Sequence, residues 1–195
     1  MKKLNLYDLI YLSIFILAIV VLIVTPISKE HTKIKQNVII KYKKIYIKRI
    51  DKDKFIRWIY NNSFRCSLKQ ADYIAGILIK TKYPLLFAAI IKNESNFNIT
   101  AYNRLGAIGL MQILPTKSHI KQLKEAGIIN NVRDLFNPYN NIMAGQFIFN
   151  DILKINKGSL RKALLMYCGN SKNYVSKVLQ SLGELTIYVR NAGIE

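Results

Sequence analysis

Residues 94–115 read ESNFNITAYNRLGAIGLMQILP. They follow the apolar run PLLFAAIIKNE, in which Pro84 suits the first turn of a helix and Leu85, Leu86, Phe87, Ala89, Ile90 and Ile91 supply its apolar residues. Glu94 therefore stands at the C-terminal end of a buried helix, where the negative end of the macrodipole and apolar neighbours both disfavour a carboxylate anion. Small residues follow at Gly106, Ala107 and Gly109, and one amide, Gln112, sits in an otherwise apolar stretch. An acid facing a closely packed loop is how a protein builds a proton donor with a raised pKa. The pattern points to acid catalysis on a bound polymer.

The same stretch resembles the signature of lytic transglycosylases of the soluble-transglycosylase, goose-lysozyme-like family, E-S-x-F-x-x-x-A-x-S-x-x-G-A-x-G-L-M-Q-I-x-P. Glu94, Ser95, Phe97, Ala101, Gly106, Ala107, Gly109, Leu110, Met111, Gln112, Ile113 and Pro115 match in register. Two later stretches extend the likeness. NPYNNIMAG over 137–145 is similar to the family's N-P-x-x-N-I-x-x-G, and Ala163, Tyr167, Gly169, Tyr174 and Val175 fit its A-x-x-x-Y-N-x-G…Y-V block. The likeness runs from about Ser67 to Val178.

The resemblance implies a mainly α, lysozyme-like domain with a groove between lobes, acting on peptidoglycan glycan strands. It implies that Glu94 is the catalytic acid, and that Ser95, Gln112 and Tyr167 support the glutamate or meet sugar. Each also has a plainer reading: Ser95 as a helix stop, Gln112 as a buried hydrogen-bonded amide, Tyr167 as a core aromatic. Asn137 and Asn141 read as a helix cap and a structural hydrogen-bonding residue, and Leu110 and Met111 as core. Three departures touch the motif. Asn103 stands where the family commonly has Ser, Leu114 where it often has Met, and Cys168 where it has Asn. Asn103 and Leu114 remain candidates for the substrate groove, whereas Cys168 removes an amide contact.

Ordinary glycosidases use two carboxylates, one as acid and one as nucleophile or base, and a second would have to be placed by motif. Here Asp134, Asp151 and Glu184 are not so placed, which agrees with the family's single-glutamate chemistry. In that scheme the β-1,4 bond between N-acetylmuramic acid and N-acetylglucosamine breaks and a 1,6-anhydro end forms. A hydrolytic muramidase, or a glycan-binding factor without turnover, would use much the same groove.

Composition frames the rest of the chain. It has 195 residues, 51% of them hydrophobic, a high share for a domain wholly in water. The run LIYLSIFILAIVVLIV over 9–24 extends through Thr25 and Pro26 to Ile27, close to the roughly 20 residues that span a bilayer. Residues 1–27 thus read as a transmembrane anchor. A cleaved signal peptide is the competing reading, although no small-residue exit follows Val24.

Residues 28–52 read as a basic tether, and 53–195 as the lysozyme-like domain. Eight basic residues over 29–49 outnumber Lys2 and Lys3, which by the positive-inside rule alone would leave the domain in the cytoplasm. The substrate lies outside, and long domains translocate regardless of flanking charge. The expected location is the cell membrane, single-pass, with the domain on the extracytoplasmic side.

The formal charge of +19 implies an anionic neighbour, such as lipid headgroups or wall polymers, or simply a solvated lysine-rich surface. No helix-turn-helix, zinc-finger or RNA-binding signature accompanies it, so no nucleic-acid partner is expected. The two cysteines, Cys66 and Cys168, and the two histidines, His31 and His119, have no metal-ligand spacing. Neither a metal, a cofactor nor a disulfide is expected.

Helices are expected from Asp53 to about Asn61, from Ser67 to Ile79 with a Ser67–Gln70 capping box, and from Pro84 to Glu94. Further helices are expected at 116–126, 139–155, 159–166 and 173–182, with few strand signals.

Overall fold

The computed structural model describes residues 50–190. The expected anchor and nearly all of the tether lie outside the described residues. No helix among the described residues is long and apolar enough to cross a membrane.

Seven α-helices and one 3-10 turn make up the described unit. They are α1 (Lys52–Asn61), α2 (Leu68–Lys80), α3 (Pro84–Ser95), α4 (Lys117–Glu125), the 3-10 turn (Val132–Phe136), α5 (Pro138–Ile155), α6 (Leu160–Tyr167) and α7 (Lys172–Tyr188). No strand of any length accompanies them among the described residues, only isolated antiparallel bridges such as Tyr102–Ile108 and Ile108–Ile113.

The helix starts follow from their caps. Ser67 accepts from the Gln70 N–H while Gln70 accepts from the Ser67 N–H, so two otherwise orphaned donors are satisfied reciprocally. Asp51, Thr116 and Asn137 cap α1, α4 and α5 in the same sense, each accepting a backbone N–H of the first turn. Pro84 and Pro138 stand in the first turns of α3 and α5, where a missing N–H costs nothing.

Two features differ from the sequence expectation. The last helix runs on to Tyr188 rather than stopping near Leu182, because Leu185 and Val189 are buried and Val189 accepts from the Asp51 N–H at 3.0 Å. Tertiary burial there outweighs the helix-weakening Gly183. The 3-10 turn was not anticipated, and it is closed by a local box in which Asn131 and Asp134 cap each other.

α3 is the axis of the domain. Every residue from Pro84 to Ile91 is buried, the pattern of a helix surrounded on all sides. α7, α2 and α6 enclose the core with it, through α3–α7, α2–α3, α6–α7 and α5–α6 contacts. Full burial of each large apolar side chain stabilises by about 1.5–3 kcal/mol. An aromatic chain links the layers, with Phe87 edge-on to Phe149 at 5.8 Å and Phe149 edge-on to Tyr167 at 5.7 Å. This packing carries the end of α3, and with it Glu94, to the rim of the core.

Candidate active site

α3 ends abruptly. Asn96 and Phe97 both take positive φ, 47° and 59°, and turn the chain back on itself. The turn holds because the Phe97 ring is fully buried, edge-on to Trp58 at 5.9 Å. Glu94 is left half-buried in the last turn. Its Oε1 accepts a hydrogen bond from the Tyr174 hydroxyl at 2.5 Å.

Burial raises the Glu94 pKa above its ordinary value, and the Tyr174 hydrogen bond opposes that rise without cancelling it. The negative charge of Glu94 in turn helps burial to raise the pKa of Tyr174 and of Tyr167. Both phenols therefore stay protonated at any physiological pH and act as neutral donors.

The glycine loop that follows α3 is held by side chains from three helices. Ser95 Oγ, half-buried, donates to the Leu110 carbonyl at 2.7 Å and lies 3.2 Å from the Ile91 carbonyl. Tyr167 donates its hydroxyl to the Met111 carbonyl at 2.9 Å. Asn141, fully buried in α5, accepts from the Met111 N–H at 2.8 Å and donates to the carbonyls of Ile108 and Leu135 at 2.9 and 2.7 Å. A buried loop is tolerated only when its backbone groups find partners, and here these side chains supply them together with the Ile108–Ile113 backbone pair and the Gly109 N–H bond to the Ala101 carbonyl. Gly109, at φ 73°, lies so close to Asn141 and the Leu135 carbonyl that no side chain fits.

The other motif residues take distinct places. Gln112 adopts φ 47° and turns its amide back to the Gly109 carbonyl at 3.0 Å. A non-glycine residue in that conformation is uncommon and held by its surroundings. Asn103 is exposed, and its side-chain Oδ1 accepts from the N–H groups of Leu105 and Ala107 at 2.9 and 3.0 Å, shaping the tip of the loop. Leu114 is exposed at the end of the motif. The structure thus gathers Ser95, Tyr167 and Gln112 around the glycine loop and leaves Asn103 and Leu114 on its outer face.

Leu110 and Met111 are core, and Asn137 caps α5. Cys168 ends α6, its thiol lying 3.4 Å from the Leu165 carbonyl and 3.6 Å from that of Ser171. The missing family amide is replaced by a thiol packed into the α6–α7 turn. Cys66 is buried near the start of α2, where burial pushes its thiol pKa up. Among the described residues, no group of three or more His, Cys, Asp or Glu side chains is placed to hold a metal ion.

Sequence reasoning missed Tyr174 as a site residue. It matches the family block, but nothing in the spacing distinguishes its role from that of Tyr167. Only the turn between α6 and α7 decides which phenol meets the acid and which meets the loop.

A buried central helix ending on one hydrogen-bonded carboxylic acid, beside a glycine loop pinned by three helices, is the architecture of a lysozyme-like domain. The family model described as "Transglycosylase SLT domain" matches residues 77–184, from within α2 to near the end of α7. The chain belongs to that family, the lytic transglycosylases that break glycosidic bonds in peptidoglycan.

Proposed function

We propose that the chain is a membrane-anchored lytic transglycosylase that cuts between N-acetylmuramic acid and N-acetylglucosamine, with Glu94 as its single general acid and base. The observation that carries this reading is the Glu94–Tyr174 pair. A half-buried carboxylic acid keeps its proton to higher pH, while one neutral phenol orients it. Burial raises its proton affinity and the Tyr174 hydrogen bond lowers it.

Glu94 gives its proton to the glycosidic oxygen as the bond to the muramyl anomeric carbon breaks, and the leaving sugar departs with a free 4-hydroxyl. The substrate's own N-acetyl oxygen supports the anomeric carbon in place of an enzyme nucleophile. The carboxylate then takes the proton of the muramyl 6-hydroxyl as that oxygen closes onto the anomeric carbon. The proton returns to Glu94, no water is consumed, and a 1,6-anhydro end remains. The Tyr174 hydroxyl stabilises the carboxylate between the two transfers. Ser95, Tyr167 and Gln112 act in this reading by fixing the loop that forms one wall of the groove, with Asn103 and Leu114 on its outer edge.

The apolar run at 9–27 anchors the chain, and the basic tether meets anionic lipid or wall polymer outside the membrane. Protease treatment of intact spheroplasts tests this placement. Loss of the domain with retention of a cytoplasmic marker is expected, and full protection would overturn it. Borohydride labelling tests the chemistry. Anhydro ends resist reduction, whereas products of a muramidase incorporate the label.

A further inference from the structure

The turn that joins α1 to α2 presents large apolar side chains to solvent. Phe64 is 92% exposed, with Tyr60 in the last turn of α1 at 46% and Leu68 at the start of α2 at 55%. Exposed apolar residues scattered singly mean little, but three large ones within residues 60–68 form a patch. The turn is held rather than frayed. Ser63 Oγ accepts from the N–H groups of Arg65 and Cys66 at 3.2 and 2.9 Å, Cys66 is buried, and the Ser67–Gln70 box starts α2 directly after it. Phe64 is thus carried on a fixed turn, with no packing of its own to satisfy.

Cations alternate with the apolar residues along this stretch. Arg57, Arg65 and Lys69 are exposed and form no ion pair among the described residues. No Asp or Glu occurs from Lys54 to Ala71. Exposed aromatic and aliphatic side chains set among uncompensated cations match the interface of an anionic bilayer, where rings sit at headgroup level and arginine and lysine meet phosphate. A soluble polyanion would use the cations and leave Phe64 in water. The 22 residues from 28 to 49 reach at most about 75 Å when fully extended. A domain tethered so closely to an anchored segment meets the bilayer at high effective concentration, so a small patch suffices to dock it.

We propose that the α1–α2 turn is a membrane-docking tip, with Phe64 and Leu68 entering the headgroup region of an anionic bilayer and Arg57, Arg65 and Lys69 pairing with its lipid phosphates. The proposal rests on the membrane-anchored reading and adds to it a contact made by the folded domain itself. The tip lies at the catalytic end of the domain: Trp58, two residues before Tyr60, meets the ring of Phe97 at 5.9 Å, and Phe97 stands three residues after Glu94. Docking therefore holds the acid near the bilayer and directs cutting to glycan next to the membrane.

The test places the full chain in vesicles of phosphatidylglycerol brominated on its acyl chains. Trp58 is the one tryptophan of the chain and is buried, so Phe64→Trp adds a second, exposed emitter. Its emission is expected to shift to the blue and to be quenched in these vesicles, and to stay unquenched in brominated phosphatidylcholine. Adding Arg65→Gln and Lys69→Gln, two cations worth about fivefold each in affinity for an anionic surface, should remove the quench. Ile155→Trp, 66% exposed at the end of α5, should show none. No quench at position 64 in a chain that floats with the vesicles, or a quench at position 155 instead, would overturn the docking tip while leaving the anchor intact. An equal quench in both lipids would overturn the pairing with anionic headgroups. The same blue shift in detergent without lipid would overturn the proposal in favour of cover by residues 28–49 or by a second copy. A chain that fails to float with vesicles would overturn the anchored reading and the docking with it.

Discussion

The Tyr174 hydroxyl, in the first turn of α7, donates to Glu94 Oε1 across 2.5 Å and joins the acid to a helix 80 positions later in the chain. Because a phenol donor favours the charged carboxylate, removing it leaves burial unopposed and raises the Glu94 pKa further. A general acid works only while protonated, so activity falls as pH rises through that pKa. Tyr174→Phe is expected to move the alkaline limb of the kcat/KM profile to higher pH and to lower the maximum rate. A limb that stays in place would remove Tyr174 from the account.

Glu94→Gln should abolish cleavage by a factor of about 100 to 10,000, the usual contribution of a positioned acid. Its stability should move the other way. The folded Glu94 pKa lies above the ordinary 4.5, so between the two values the folded chain holds a proton that the unfolded chain has released. Stability therefore falls as pH rises through that window and stays lower above it. Glutamine carries no such penalty and can still accept from Tyr174. The variant should melt higher than wild type near neutral pH, with the difference closing at acid pH, as read from thermal unfolding across a pH series.

Asn141 ties the loop to α5 through the Met111 N–H and the Ile108 carbonyl. Asn141→Leu strands the Met111 N–H and the Leu135 carbonyl, each loss costing about 1–3 kcal/mol when buried, while the Ile108 carbonyl keeps the Ile113 N–H. Chemical denaturation should show a loss of at least about 2 kcal/mol, with activity falling as the loop loosens.

Three glycines separate crowding from flexibility. Gly109→Ala forces a positive φ on alanine and drives a Cβ to 2.7 Å from the Leu135 carbonyl. Gly145→Ala puts one 2.7 Å from the buried Met111 methyl. Both should destabilise, the second by about 1–3 kcal/mol through overpacking. Gly183→Ala meets nothing within 4 Å on the exposed face of α7 and should stabilise by about 0.5–1 kcal/mol. Urea midpoints of the three variants would establish the order.

The helical layout was legible because each start carries a local signature: the Ser67–Gln70 box, Pro84 and Pro138, and the Asn137 cap act over three or four residues. The motif located Glu94, the structural role of Asn141 and the core residues Leu110 and Met111. What stayed hidden depends on contacts between distant segments. Tyr167 and Tyr174 look alike in sequence, and only the packing of α6 and α7 against α3 gives one to a carbonyl and the other to the acid. The extension of α7 to Tyr188 likewise follows from burial of Leu185 and the Val189–Asp51 bond, which join the two ends of the domain.

The central claim is that Glu94 performs both proton transfers and the muramyl 6-hydroxyl, not water, closes the reaction. Mass spectrometry of soluble products, after incubating peptidoglycan with the full chain and with Glu94→Gln, tests it most directly. The account predicts muropeptides lighter by one water than their hydrolytic counterparts, abundant with wild type and absent with the variant. Reducing-end muropeptides from the wild type, or anhydro products persisting in Glu94→Gln, would contradict it.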